Sequence, residues 1–180
     1  MSLWVFGYGS LMWNPEFEAA EAVTATLPGY ARSFCMSSIH HRGSVEEPGL
    51  VLALDAHPGA ECRGLALRIP DAGREEILAA LRERELISSA YVERRLPVRL
   101  DDGREVEALA YVVDRDHAQY CGGLSEAEQA RIIARAHGGR GPNRDYLWST
   151  AEHLDVLGIA DPELSRIAQA VRRIVDKSLA

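Results

Sequence analysis

The sequence predicts an α+β fold, strand-rich in its first two thirds and helical in its last third. Two observations carry this. Short apolar or alternating runs broken by Gly and Pro turns fill most of the chain up to about residue 113, and capped amphipathic segments of period 3.6 follow from Ser125 onward. The order, strands first and helices later, favours α+β over a doubly wound sheet.

Leu3–Gly7 (LWVFG) is a first short strand, stopped at Gly7-Tyr8-Gly9-Ser10. Ala22–Leu27 and Ala31–Ser37 read as strands around a Pro28-Gly29 turn, and Gly49–Leu54 as a strand buried on both faces. Cys62–Ile69 is another such run. Val92 to Leu100 alternates apolar and charged positions, with Pro97 pointing to an edge, and Asp102-Gly103 turns it into Glu105–Val113. One early helix, Arg74–Glu85, carries the apolar stripe Ile77, Leu78 and Leu81. At about 100° per residue Glu85 falls on that stripe, one turn beyond Leu81, while Glu83 falls on the outer face.

The helical third is well punctuated. Ser125 and Glu128 form a capping box for a helix running to Ala136, with Gly138-Gly139 as its stop. The Gly/Pro loop 138–142 leads to a helix from about Asn143, its cap, to Leu157. Asp161-Pro162 opens a last helix with Leu164, Ile167, Val171 and Ile174 on one face.

A chain of 180 residues with 47% hydrophobic and 26% charged residues is read as a single domain spanning 1–180. It buries on the order of 70% of its unfolded surface, enough for a core without disulfides or metal. The formal charge of -7 argues against a nucleic-acid partner. Cys35, Cys62 and Cys121 are an odd number with no C-x-x-C spacing, which fits a reducing compartment. Leu3 to Phe6 is too short for a signal-peptide core, the first basic residue is Arg32, and no stretch approaches a membrane span. The expectation is a cytoplasmic protein with no membrane partner.

Five groups of residues are candidates for chemistry. In Phe6-Gly7-Tyr8-Gly9-Ser10-Leu11, glycines flank an aromatic directly after a strand, so exposed N–H groups can cradle an anion. Met12 stands where a dinucleotide fingerprint needs its third glycine, and no Gly-Lys-Ser/Thr follows; the alternative is a plain tight turn. Glu85 on an apolar stripe is costly unless paired or functional. It is either a general acid/base in a partly dry pocket, a buried partner of Arg68, Arg82 or Arg94, or the surface end of the stripe. In His40-His41-Arg42-Gly43 the histidines lack metal-ligand spacing, while the Arg42 fork suits a carboxylate. Tyr146, which follows the Gly-rich loop, is a core ring or a pocket wall. Cys35 with His40 or His41 is a weaker nucleophile candidate, because it lies in an apolar strand.

Taken together, these pieces resemble the ChaC-type gamma-glutamylcyclotransferases. The resemblance rests on Trp4-Val5-Phe6-Gly7-Tyr8-Gly9-Ser10-Leu11-Met12-Trp13, on His41-Arg42-Gly43 with Pro48-Gly49, on Leu81-x-x-Arg84-Glu85 before Tyr91, on Gln119-Tyr120-x-Gly122 and on Asn143-x-Asp145-Tyr146-Leu147. It implies a mixed β-barrel with surrounding helices. It implies cleavage of glutathione to 5-oxoproline and cysteinylglycine, with Glu85 as general acid/base and no cofactor or metal. It assigns the N–H groups around Gly9, Ser10 and Leu11 to the substrate carboxylate and oxyanion, and Tyr8 and Tyr146 to the pocket wall. One departure stands out: the family often has a glycine between the glutamate and the tyrosine, where this chain reads Leu86-Ile87-Ser88-Ser89-Ala90-Tyr91. It bears on the leaving-group side and leaves Arg84-Glu85 intact. The alternatives are a cyclotransferase for other gamma-glutamyl amines or amino acids, and a non-enzymic module binding an anionic metabolite.

Overall fold

The computed structural model describes residues 1–86 and 90–179. In chain order the elements are β1 (Leu3–Gly7), α1 (Ser10–Trp13), β2 (Glu21–Ser38), β3 (Gly49–Ile69), α2 (Arg74–Leu86), β4 (Tyr91–Leu100), β5 (Glu105–Val113), α3 (Glu126–Arg135), β6 (His137–Gly138), β7 (Gly141–Pro142), α4 (Asn143–Val156) and α5 (Pro162–Ser178). The chain divides into two compact units. The first holds Met1–Ser33 and Ala53–Tyr120; the second holds Phe34–Leu52 and the described residues from Cys121 onward.

A closed mixed barrel in the order β1-β3-β2-β4-β5 builds the first unit, with β3 and β5 also paired. β1 runs antiparallel to β3, Leu3 opposite Ile69 and Gly7 opposite Leu65, and parallel to β5, Trp4 opposite Ala108. All five residues of β1 are buried, as expected of a strand covered on both faces. With Leu67, Ile69, Val98, Leu109 and Tyr111 they make the barrel core. Closure is the feature that strand patterning could not supply: alternation says which face is buried, not whether the sheet's edges meet. β4 is paired on both sides, along β5 and with β2 at Arg99 and Leu100; Pro97 sits opposite Glu107, short of the β2 rungs.

Two expected breaks are not breaks. β2 runs through Pro28-Gly29, and β3 joins the two expected strands Gly49–Leu54 and Cys62–Ile69 into 21 residues. Gly29 and Gly59 have φ of 85° and 86°, so the chain bends at glycine without ending the strand.

In the second unit α3 packs on α4 and α5. The Ser125–Glu128 capping box is complete in both directions, and Asp161 caps α5 by accepting from Leu164 N–H with Pro162 in the first turn. Leu164, Ile167 and Val171 are buried and Ile174 is half-buried. The Gly/Pro loop closes as the small β6–β7 hairpin, His137 opposite Pro142. Asn143 is not the cap of α4; Pro142 holds that position, and Asn143 is turned to another task. Among the described residues no helix is long and apolar enough to cross a membrane.

Candidate active site

In the first unit, β1 delivers the chain to a bend. A Cβ on Gly64 would stand 2.3 Å from the Gly7 carbonyl and 2.8 Å from the Phe6 ring, so only glycine lets β3 pass this close. Arg32 fixes the bend from β2: its Nε donates to the Tyr8 carbonyl at 2.7 Å and its Nη2 to the Arg63 carbonyl. After Gly9 the chain enters α1, where Met12 N–H bonds the Gly9 carbonyl at 2.9 Å and Asn14 N–H the Ser10 carbonyl at 2.7 Å. The first N–H groups of such a turn have no partner inside it, which makes them the natural donors for an anion. Tyr8, Gly9 and Leu11 are buried and Ser10 is half-buried.

α2 brings in the carboxylate. Leu81 is buried, Glu83 is exposed, and the Glu85 side chain is 15% exposed, so the helical phase read from sequence separates the two glutamates correctly. The contemplated partners Arg68 and Arg82 are bonded to other carboxylates, Glu21 and Glu93. Glu85 instead lies 3.4 Å from the Nε of its neighbour Arg84. The same guanidinium donates from Nη2 to Ser10 Oγ at 2.8 Å and from Nη1 to the Asn14 carbonyl at 2.6 Å, with Glu16 at 3.4 Å. One side chain thus spans the bend's helix and the carboxylate.

Beside this lies a second polar cluster. Arg82 grips both oxygens of Glu93 at 3.0 Å, and the buried Tyr111 hydroxyl donates to Glu93 at 3.1 Å. The Arg82 guanidinium, ahead of the opposing cost of burial, holds the Glu93 carboxyl below its usual range. Burial first, and then the Glu93 charge with a smaller contribution from Glu85, pushes the Tyr111 hydroxyl up, so it stays a donor at neutral pH.

In the second unit the structure groups Arg42 with Tyr146. The guanidinium lies over the ring, 5.6 Å from its centroid, and Nη1 donates to the Pro142 carbonyl at 3.2 Å. The Tyr146 hydroxyl accepts from Leu52 N–H at 3.2 Å, and its ring meets Phe34 edge-on at 6.3 Å. Asn143, fully buried, clasps one residue of β3: Oδ1 accepts from Leu50 N–H and Nδ2 donates to the Leu50 carbonyl, both at 2.8 Å. A Cβ on Gly49 would fall 2.3 Å from the Arg42 carbonyl and 2.7 Å from Asn143 Oδ1, which explains the glycine there. Cys35 is fully buried in β2, as a small hydrophobe would be. Burial, ahead of Arg140, lowers the His41 imidazole, and burial raises the Cys121 thiol.

Of the seven site residues expected from sequence, Tyr8, Gly9, Ser10, Leu11 and Glu85 fall in the first unit, and Arg42 and Tyr146 in the second. Three important residues were not singled out as site groups: Arg84, Arg32 and Asn143. Arg84 and Asn143 lie in motifs that had drawn attention, but their partners are 74 and 93 residues away. The glycine-free segment between Glu85 and Tyr91 has its centre, residues 87–89, outside the described residues.

Residues 3–174 match the family described as ChaC-like protein. The chain is 38% identical over 173 residues to the glutathione-specific gamma-glutamylcyclotransferase of Escherichia coli K12, covering 96% of this chain and 74% of that protein. It is 34% identical to glutathione-specific gamma-glutamylcyclotransferase 1 of Danio rerio over 94% of this chain and 89% of the relative, and 32% identical to gamma-glutamylcyclotransferase 2-3 of Arabidopsis thaliana over 99% and 92%. A crystal structure of a yeast gamma-glutamyl cyclotransferase specific to glutathione superposes with a TM-score of 0.87, 23% identity and 96% coverage of both chains, a likeness of fold.

Proposed function

Because the chain belongs to the ChaC-like protein family, we propose that it is a gamma-glutamylcyclotransferase that acts on glutathione and releases 5-oxoproline and cysteinylglycine. The relatives' activities support the reaction type and their names support glutathione as the substrate. The observation that carries the reading is the largely covered Glu85 carboxylate, tied through Arg84 to Ser10 at the glycine bend.

The chemistry needs little beyond this. The substrate brings its own nucleophile, the α-amine. It attacks the γ-carbonyl carbon, a five-membered ring closes, and the amide C–N bond to the cysteinyl nitrogen breaks. Intramolecular closure is fast once the chain is held in the folded-back conformer, so positioning supplies much of the acceleration. One proton must leave the α-ammonium before attack, and one must reach the departing nitrogen. Glu85 serves both transfers, first as base and then as acid. The N–H groups of Gly9, Ser10 and Leu11 hold the oxyanion or the α-carboxylate, where fixed donors cost no reorganisation. Tyr8 lines the pocket of the first unit. In the second unit the Arg42 guanidinium, held over the Tyr146 ring, is by itself a fork of the kind that binds a carboxylate.

Mass-spectrometric analysis after incubation with glutathione tests the reading: 5-oxoproline and cysteinylglycine are expected in equal amounts. Untouched glutathione beside rapid turnover of another gamma-glutamyl amine would transfer the activity to that substrate class. Tight glutathione binding with no product would make the protein a binding module.

A further inference from the structure

We propose that Arg84 is a positioning residue for ring closure, its planar guanidinium holding the Glu85 carboxylate and the Ser10 hydroxyl in one rigid frame. The inference rests on the reading of Glu85 as the proton-transferring group.

The geometry of the fork carries it. An arginine in the last turn of a helix ordinarily reaches for the helix's own carbonyls or for water. Arg84 does neither: its side chain is 12% exposed, Nη2 donates to Ser10 Oγ of α1 at 2.8 Å, and Nη1 donates to the Asn14 carbonyl just past α1 at 2.6 Å, with Glu16 at 3.4 Å. Once those two bonds fix the plane, the direction of Nε is fixed too, and Nε is the atom that addresses Glu85.

The distances differ in a telling way. Charge-assisted bonds run at about 2.7–2.9 Å. The bonds to Ser10 and Asn14 are that short, whereas the contact to Glu85, at 3.4 Å, is longer. Arg84 is therefore anchored on the bend and offers Glu85 orientation and charge without the tight, bidentate pairing that holds Glu93 on Arg82. Lysine has three donors but no planar fork, so bonding Ser10 and Asn14 would not fix the direction in which it faces Glu85.

The test is the rate of 5-oxoproline release from glutathione, with kcat and KM resolved, for wild type, Arg84→Gln, Arg84→Lys, Ser10→Ala and the Ser10→Ala/Arg84→Gln double variant, each checked for folding by circular dichroism and melting. We expect Arg84→Gln to lose about 100-fold in kcat with KM little changed, the signature of misplaced rather than missing groups. Arg84→Lys should recover only a small part of that loss. The double variant should be hardly slower than Arg84→Gln alone, because Ser10 and Arg84 act as one unit. Normal kcat in folded Arg84→Gln overturns the proposal. So does full rescue by lysine, additive losses in the double variant, or a raised KM at unchanged kcat, which would make Arg84 a substrate ligand. If Arg84→Gln fails to fold, Arg84→Lys decides: a lowered kcat at constant KM supports the frame and normal kcat removes it. An inactive Glu85→Gln beside a fully active Arg84→Gln sinks this inference alone. A wild type that releases no 5-oxoproline sinks the functional reading and this inference with it.

Discussion

The two units use buried polar groups in opposite ways. In the first, the Glu85 carboxylate is mostly covered and held at 3.4 Å by a guanidinium that is itself bonded elsewhere. In the second, Asn143 is fully buried and both its amide atoms are satisfied at 2.8 Å by the backbone of Leu50. The neutral amide satisfies both backbone groups of Leu50. The carboxylate instead brings a charge under cover, and desolvating a charge is costly. A group kept at such a cost is expected to matter to function, and a group so fully satisfied to matter to folding.

The comparison breaks most visibly at Glu85. Replacing it with Gln keeps the shape and removes the charge, so stability should hold or rise slightly. The release of 5-oxoproline should fall by about 1,000-fold or more, within the range that removal of a general acid/base produces. A steady-state assay beside a thermal melt reads both. A variant with ordinary turnover would take Glu85 out of the mechanism.

Asn143→Ala is the converse experiment and the next largest effect. It strips the buried Leu50 N–H and carbonyl of their side-chain partners, at a cost of about 3 kcal/mol. Urea or thermal unfolding should show this loss directly. If stability were unchanged, the clasp would be incidental and the contrast between the units would fail.

What the sequence made legible follows the same division. Local rules reached far: helical phase separated Glu85 from Glu83, and Ser125–Glu128 and Asp161-Pro162 marked two helix starts. Where an outcome depended on a distant partner, local reading failed. Asn143 stands where a cap would stand, yet its amide bonds a strand 93 residues earlier. Arg84 was not weighed as a partner for Glu85, since adjacent residues on a helix do not normally face each other; its orientation is set from α1. Pro28-Gly29 has the composition of a turn, but β2 continues through it. Barrel closure came only through the family resemblance, since strand pairing across the chain leaves no local trace.

Tyr146→Phe sharpens the comparison, because this residue has a structural contact and supports, within its own unit, the guanidinium of Arg42. Its hydroxyl accepts from Leu52 N–H at 3.2 Å. Loss of that acceptor should cost about 1–2 kcal/mol of stability. If Arg42 and Tyr146 also bind substrate, KM for glutathione should rise in the folded variant. Lost stability with unchanged kinetics would assign Tyr146 to the framework with Asn143.

The smallest effect concerns the other carboxylate of the first unit. Arg82 holds the Glu93 carboxyl below its ordinary value of 4.5, so the pair stabilises the fold when Glu93 is ionised. That contribution is fully present above the unfolded-state value and is lost as pH falls through the lower folded-state value. Wild-type stability should therefore decline as pH drops below 4.5, and Glu93→Gln should flatten that part of the curve while leaving the slope at higher pH unchanged. The pair is partly exposed, so the change is best read as a slope in unfolding free energy against pH. Equal acid slopes in wild type and Glu93→Gln would mean that Arg82 does not distinguish the two charge states of Glu93. The tight pair would then no longer serve as the counterexample to the loose contact between Arg84 and Glu85.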